Sequence, residues 1–327
     1  MIPSNARRRF AIFLPFTVLF LIFFGALVTS HGAGLSVPDW PTTFGRNMFL
    51  YPISGWVGGI FYEHGHRLIA SVVGFLTLVL AAWIGSKEPR KIVKRFAALA
   101  LFAVMLQGLL GGLTVRYNLP TPVSVSHAVL GQTFFVITII IAYFHSAEHF
   151  RFRAVNNPEA KKLFSLSLFV IALIYLQLIV GAIMRHSGSG LAIPDFPTMG
   201  GGWLPLVTQD MLNQINQLLP EMGLRTVSKM QVVVHLLHRI GAVLVSAAVM
   251  YLLYSSYKRA GKIDRRLVRN ASWLGGLIVV QVFFGVATVL TKKLPYLTSI
   301  HVALGALLLG LTVLFSLRAH ALSRATT

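Results

Sequence analysis

Eight stretches of about twenty predominantly apolar residues, each bounded by charges or by Gly and Pro, divide this chain. They predict membrane-spanning helices near 10–30, 66–86, 95–115, 124–145, 163–184, 231–254, 270–291 and 298–318. Two further segments, 32–45 and 188–205, are rich in Gly and Pro and too irregular to cross lipid, which predicts loops lying over the mouths of helical bundles. The insertion 206–230 holds one more helix-like stretch, Gln209 to Leu219, with the pattern of an interfacial element.

The pattern repeats. GALVTSHGAGLSVPDWPT (25–42) follows the first span and GAIMRHSGSGLAIPDFPT (181–198) the fifth, and the two align without gaps at an offset of 156. The second and sixth spans open with EHGHR and HLLHR, and the fourth and eighth with SHAVLG and IHVALG. The third and seventh share Gln107 with Gln281, Gly111 with Gly285, and Thr114 with Thr288. Each half has an even number of spans, so both enter from the same side, as in a parallel repeat about an axis along the membrane normal. The expected fold is an all-α integral membrane protein of eight transmembrane helices in two pseudo-symmetric four-helix bundles, 1–155 and 156–327. Arg7, Arg8 and Arg9 ahead of an apolar run resemble a signal peptide, but the repeat argues that the first span is retained. Gly108, Gly111 and Gly112 suit ordinary close helix packing.

Composition agrees with a bilayer as solvent: of 327 residues, 55% are hydrophobic and 12% charged, with a mean hydropathy of +0.72. A net charge of +20 in a soluble chain would point to nucleic acid, but here the basic residues cluster between spans. With the N-terminus in the cytoplasm, inner segments hold 20 of the 29 Lys and Arg, which predicts cytoplasmic N- and C-termini. Cysteine is absent, so disulfides, thiolate ligands and a cysteine nucleophile are excluded.

The candidate chemistry lies in histidines that the repeat relates. His66 matches His238 and His127 matches His301, so each half carries one pair at the outer ends of its second and fourth spans. Imidazoles at membrane depth need partners, and two facing imidazoles on separate helices suit axial ligation of haem iron; the bland alternative is a hydrogen bond to a backbone carbonyl. Arg67 and Arg239 follow the first histidine of each pair and could meet haem propionates or simply snorkel to the interface. Glu63 lies three residues before His66 on the same helical face, whereas its counterpart is His235. It is a candidate acid or base beside a substrate, with an ion pair to Arg67 as the plainer reading. One half therefore looks catalytic and the other looks like a redox site. Among the remaining histidines, His31, His64 and His186 carry no assignment, and His145, His149 and His320 are expected to be solvated at inner helix ends. Asp39 and Asp195, in PDWP and PDFP, read as turn formers. The single Glu-x-x-His falls short of a di-iron set.

With these residues the chain resembles the haem A synthase family, the bacterial and mitochondrial enzymes that convert haem O to haem A. The likeness rests on GLSVPDWP and GLAIPDFP, on Glu63 to Arg67, on Gln107 with GGLTV, and on the four histidines in order. It implies an oxidoreductase in the bacterial cytoplasmic membrane. Haem O would be bound in the N-terminal half at His66 and His127 beside Glu63, and a haem b cofactor would sit between His238 and His301. The implied reaction oxidises a haem methyl to a formyl group by successive hydroxylation and loss of water, with haem O synthase and an electron donor as partners. Many relatives carry an outer-loop cysteine pair that this chain lacks. A dihaem b-type electron-transfer cytochrome and a haem carrier are the rival readings, while haem O synthase is disfavoured because the four Asp are scattered.

Overall fold

The computed structural model describes residues 3–151, 156–203, 206–260 and 264–324. The expected boundary between the halves, at 155, falls outside the described residues at its N-terminal edge, as does the end of the outer segment at 204–205.

All eight expected spans are helices. They are α1 (Asn5–Ser30), α2 (Gly59–Lys87), α3 (Lys91–Arg116), α4 (Thr121–His145), α6 (Pro158–His186), α8 (Lys229–Ala260), α9 (Arg265–Leu290) and α10 (Pro295–Ser323). Each has the length and apolarity to cross a bilayer, making the chain an integral membrane protein. Between them lie the short α5 (Ala147–Arg151) and the outer α7 (Gln209–Glu221). The helices overrun the expected ends because hydropathy registers only the segment inside hydrocarbon, whereas helical hydrogen bonding continues until a cap stops it. At the start of α6 the Asn157 side chain accepts from the Glu159 and Ala160 amides; Asp264 accepts from the Arg266 amide at the start of α9. Pro158 and Pro295 sit in first turns, where a missing N–H costs nothing.

In the N-terminal half, α1 packs on α2, α2 on α3, α3 on α4, and α4 back on α1. The same ring recurs as α6, α8, α9 and α10, which fits the duplicated arrangement. In each ring the two histidine-bearing helices, α2 with α4 and α8 with α10, occupy opposite corners. The halves meet through α1 on α10, α4 on α10 and α4 on α6. Gly310 permits that approach, because a Cβ there would stand 2.5 Å from Ile139 Cδ1 and 2.9 Å from Phe135 Cε1. Lipid is as apolar as a leucine side chain, so such close packing takes over the cohesive role that hydrophobic burial plays in water. Aromatic side chains such as Phe16 (66% exposed) and Phe75 (63%) face outward, as a lipid-solvated surface allows.

Ion pairs close the inner ends. Glu88 receives Arg90 at 2.7 Å and Arg7 at 3.4 Å, while Arg318 binds Glu148 at 2.6 Å and donates to the Asn270 side-chain Oδ1 at 2.8 Å. The inner histidines are not solvated as expected. His145 is fully buried, with Nδ1 2.8 Å from the Ile141 carbonyl, His149 is half-buried against Tyr143 and Phe144, and His320 lies over Phe164. The α2–α3 connection reaches the end of α4, where Arg90 donates to the Phe144 carbonyl at 3.0 Å and Glu88 lies 3.8 Å from His145. On the outer side, α7 buries Met211, Leu212, Ile215 and Leu219 against Ile193 and Val232. It caps the C-terminal half.

Candidate functional site

Each of the four repeat-related histidines rests on a glycine of a neighbouring helix. A Cβ on Gly25 of α1 would stand 2.9 Å from His66 Cε1, and one on Gly181 of α6 would stand 3.1 Å from His238 Cε1. On the other side, Gly111 of α3 would meet His127 Cε1 at 3.5 Å, and Gly285 of α9 would meet His301 Cε1 at 3.0 Å. Gly25, Gly181 and Gly285 are therefore seats that let an imidazole lie flush against the adjoining backbone. At Gly111 the contact is an ordinary van der Waals one, in keeping with the packing role expected for it. Gly112 has a separate use, since its missing side chain makes room for the Trp40 indole, 2.5 Å from where a Cβ would be.

Within each half the two rings are close enough to act on one another's charge. His301 Nδ1 lies 3.1 Å from the Gln281 carbonyl. A carbonyl only accepts, so Nδ1 holds the proton and Nε2 keeps a lone pair, the form that ligates a metal. His66 Nδ1 is buried without a hydrogen-bond partner, as are Gln107 Oε1 and Gln281 Oε1, whereas the Gln107 carbonyl faces His127 as that of Gln281 faces His301. Buried polar atoms left without partners mark a place where a ligand is missing. Among the described residues no three or more His, Cys, Asp or Glu gather as a metal cluster. The donor set is thus two imidazoles per half, carried on helices at opposite corners of each ring, a set that suits the two axial positions of a haem.

Glu63 is buried and doubly engaged. The Arg67 Nη2 donates to its Oε1 at 2.7 Å, and the Val37 amide donates to its Oε2 at 2.8 Å. The plainer alternative, the ion pair to Arg67, is present. His235 stands in the same frame: the Ile193 amide donates to its Nδ1 at 3.1 Å, and Arg239 Nε lies 3.3 Å from its Nε2. A carboxylate can accept at both oxygens while carrying a charge, whereas a neutral imidazole accepts at one nitrogen only.

The two arginines spend their other donors on the outer loops. Arg67 donates to the carbonyls of Val37, Asp39 and Thr42 at 2.8, 2.7 and 3.1 Å. Arg239 donates to those of Ile193 and Thr198 at 2.8 and 3.0 Å. Sequence reading missed this clamp because backbone carbonyls leave no trace in a sequence. The loops are tied again at Asp39, which accepts from the Thr42 hydroxyl and from the Phe44 and Gly45 amides at 2.8 and 2.9 Å. Asp195 accepts from the Gly200 and Gly201 amides at 2.8 and 3.1 Å. Burial pushes both carboxyls up, but these hydrogen bonds outweigh it and hold each below the ordinary carboxylate value.

Of the unassigned histidines, His64 is buried, 3.1 Å from the Thr43 hydroxyl and edge-on to Trp56, as part of the outer loop packing. His31 stacks on Tyr62 with ring centroids 3.9 Å apart. His186 ends α6, and its carbonyl accepts from the Thr121 hydroxyl. One turn inward from His66, an apolar groove of about 500 Å³ runs between α1 and α2, lined by Phe16, Phe20, Leu68, Ile69 and Val72.

A family model described as COX15-CtaA, cytochrome oxidase assembly protein, matches residues 53–313. The chain is 27% identical over 289 residues to a heme A synthase of Shouchella clausii, covering 87% of each. It is 25% identical over 320 residues to one of Shewanella oneidensis, covering 92% of each. A third, from Symbiobacterium thermophilum, is 27% identical over 274 residues, covering 82% of this chain and 80% of the relative.

Proposed function

The chain belongs to the COX15-CtaA family of cytochrome oxidase assembly proteins, and on that premise we propose that it is a haem A synthase that oxidises a methyl group of haem O to the formyl group of haem A. The observation that carries this reading is the pair of glycine-seated histidine couples, one per half, of which only one has a carboxylate beside it. The reaction proceeds by successive hydroxylation of the methyl carbon and loss of water, which classes the enzyme as an oxidoreductase.

Haem O is assigned to the N-terminal half, with its iron between His66 and His127. Glu63, one turn before His66 on the same face, is the group that takes or holds a proton at the outer edge of the substrate. Hydrogen bonds from Arg67 and from the Val37 amide hold the carboxylate in place. The apolar groove below His66 suits the prenyl chain of haem O and draws the substrate from the lipid side. Trp40, laid over Gly112, and the loop clamped by Arg67 shield that half from water.

Haem b is assigned to the C-terminal half, between His238 and His301, where it would supply a one-electron redox centre. There His301 is fixed in its ligating tautomer by the Gln281 carbonyl, and Arg239 holds the PDFP loop over the site. In this reading Arg67 and Arg239 act as loop clamps. The distribution of basic residues supports cytoplasmic N- and C-termini, and bacterial relatives support the cytoplasmic membrane. Haem O synthase is the natural supplier of the substrate; taking a methyl to a formyl group removes four electrons, so the reaction needs an oxidant, dioxygen reduced with the help of an external electron donor being the class that fits successive hydroxylation.

The test is to express the chain with a source of haem O in a host lacking haem A and to separate extracted haems with mass detection. Haem A, or its hydroxylated precursor, is the expected product. Unreacted haem O, with the purified protein showing only a low-spin bis-histidine spectrum, would replace this reading with an electron-transfer cytochrome.

A further inference from the structure

The outer edges of the two halves differ in charge at two matched positions. Arg185 ends α6, four residues after the glycine that seats His238, and so lies one turn outward from that ring. Its Nη2 donates to the Ala26 carbonyl and, at 2.9 Å, to the Ser30 hydroxyl. Among the described residues no carboxylate lies within ion-pair distance of it. Facing it from the α9–α10 turn is Lys293, whose side chain packs against Gly190, 3.4 Å from where a Cβ would be. The other titratable groups nearby are His186 on the same helix and His301 on α10, and both feel the Arg185 charge. Burial and the neighbouring guanidinium push the Lys293 ammonium below its ordinary value. A half-buried guanidinium and an exposed ammonium thus stand together, with no carboxylate among the described residues paired to either.

The N-terminal half builds the same frame without charges at these two positions, its own cation being the exposed Arg116 of α3, where the C-terminal half has Leu290. Position 185 corresponds to Thr29, and position 293 to Leu119. The correspondence is geometric as well as sequential. The Lys293 amide donates to the Thr288 carbonyl at 2.7 Å and the Leu119 amide to the Thr114 carbonyl at 2.7 Å. Residues 292 and 293 adopt positive φ of 51° and 66°, as Asn118 and Leu119 do at 56° and 59°. Leu119 packs on Gly34 as Lys293 packs on Gly190.

We propose that Arg185 and Lys293 form a carboxylate-binding site that holds the propionates of the haem seated between His238 and His301, and that Thr29 and Leu119 leave the N-terminal half without such a hold so that its haem can exchange. The proposal rests on the assignment of the resident haem to the C-terminal half. It also gives the propionates a partner besides Arg239, whose Nη1 and Nη2 each donate to a loop carbonyl. A charge-assisted contact at a partly buried site is strong enough to separate a retained group from an exchanging one.

The experiment uses the purified haem-loaded protein and its Arg185→Thr, Lys293→Leu and double variants, which install the residues of the other half, with Arg185→Lys as the conservative control. Haem release to excess apomyoglobin is followed optically, together with the reduction potential of the low-spin haem. The double variant is expected to release haem about 10- to 100-fold faster at a lowered potential, with Arg185→Lys close to wild type. Wild-type protein loaded instead with haem dimethyl ester should release as fast as the double variant, a comparison that needs no substitution to fold. Unchanged release in the double variant, or equal retention of haem and its ester by wild type, overturns the proposal. If His238→Ala and His301→Ala both keep their haem, it is the underlying ligand assignment that has failed.

Discussion

The two halves of this protein share a skeleton and differ in what surrounds it. In both, a histidine couple lies between opposite corners of a four-helix ring, each ring on a glycine, beneath a loop tied down by an arginine and an aspartate. What changes is the neighbour of each element. The carboxylate of Glu63 becomes the imidazole of His235, Trp40 over Gly112 becomes Phe196 opposite Val286, and Thr29 with Leu119 becomes Arg185 with Lys293. On the proposed function, both halves keep the histidine couple that would hold a flat macrocycle and diverge in residues one contact further out. That is where selectivity between a turned-over and a retained group can be tuned without dismantling the seat.

The largest effect should come from removing the imidazoles, and it should differ by half. His238→Ala or His301→Ala is expected to strip the resident haem entirely, read as loss of the low-spin spectrum in purified protein. His66→Ala should leave that spectrum in place while abolishing product. The opposite pattern would show that the roles of the halves are exchanged.

Next comes the one acid that distinguishes them. Glu63→Gln preserves shape and one acceptor but removes the charge that Arg67 faces, so haem A formation should fall by about 10²- to 10⁴-fold with haem b content unchanged. Extracted haem analysis measures both quantities. Product at the wild-type level would reduce Glu63 to a structural partner of Arg67 and the Val37 amide, leaving the halves chemically alike.

How far this comparison could be read from the sequence depends on the kind of contact involved. The eight spans, the duplication and the four histidines were legible, because lipid imposes long apolar runs and an ionisable residue within one stands out. Other features depend on partners that periodicity does not reveal. Arg67 and Arg239 as loop clamps depend on backbone carbonyls of residues far away in the chain. The seats at Gly25, Gly181 and Gly285 look like ordinary packing glycines until a ring is found against each. His145 reads as an inner-end, solvated residue, yet it is buried beside Glu88 of the α2–α3 connection.

A subtler contrast sits beneath the first histidine of each pair. In the C-terminal half the Gln177 amide lies 3.1 Å from His238 Nδ1 and donates to the His238 carbonyl at 2.8 Å, in space left by Gly241. The matching residues in the N-terminal half are Leu21 and Ile69, and there His66 Nδ1 has no partner. Ligation through Nε2 needs the proton on Nδ1, and Gln177 can meet that tautomer by turning its Oε1 toward the ring. A hydrogen bond to Nδ1 makes the ligand a stronger electron donor and lowers the potential of the metal it holds. Gln177→Leu should therefore retain haem but raise its reduction potential by some tens of millivolts, measured by spectroelectrochemistry. An unmoved potential would leave Gln177 as a packing residue and remove one difference between the halves.

The smallest effect concerns what the halves share. Asp39 and Asp195 both have their carboxyl pKa lowered in the folded protein, because hydrogen bonds from the loop outweigh burial. A group whose folded value is depressed contributes stability above its ordinary value, and that contribution is lost as pH falls through the lower folded value. The outer loops should accordingly stay tied at neutral pH and loosen only in acid, below the ordinary aspartate value of 3.8. Hydrogen exchange at the Phe44 and Gly45 amides, and at Gly200 and Gly201, reads this directly. Asp39→Asn should raise exchange at Phe44 and Gly45 already at neutral pH and leave Gly200 and Gly201 unchanged, with Asp195→Asn doing the reverse. If either substitution loosens both loops, the outer coverings are coupled across the α1–α10 contact, and the halves cannot be treated as independently tuned sites.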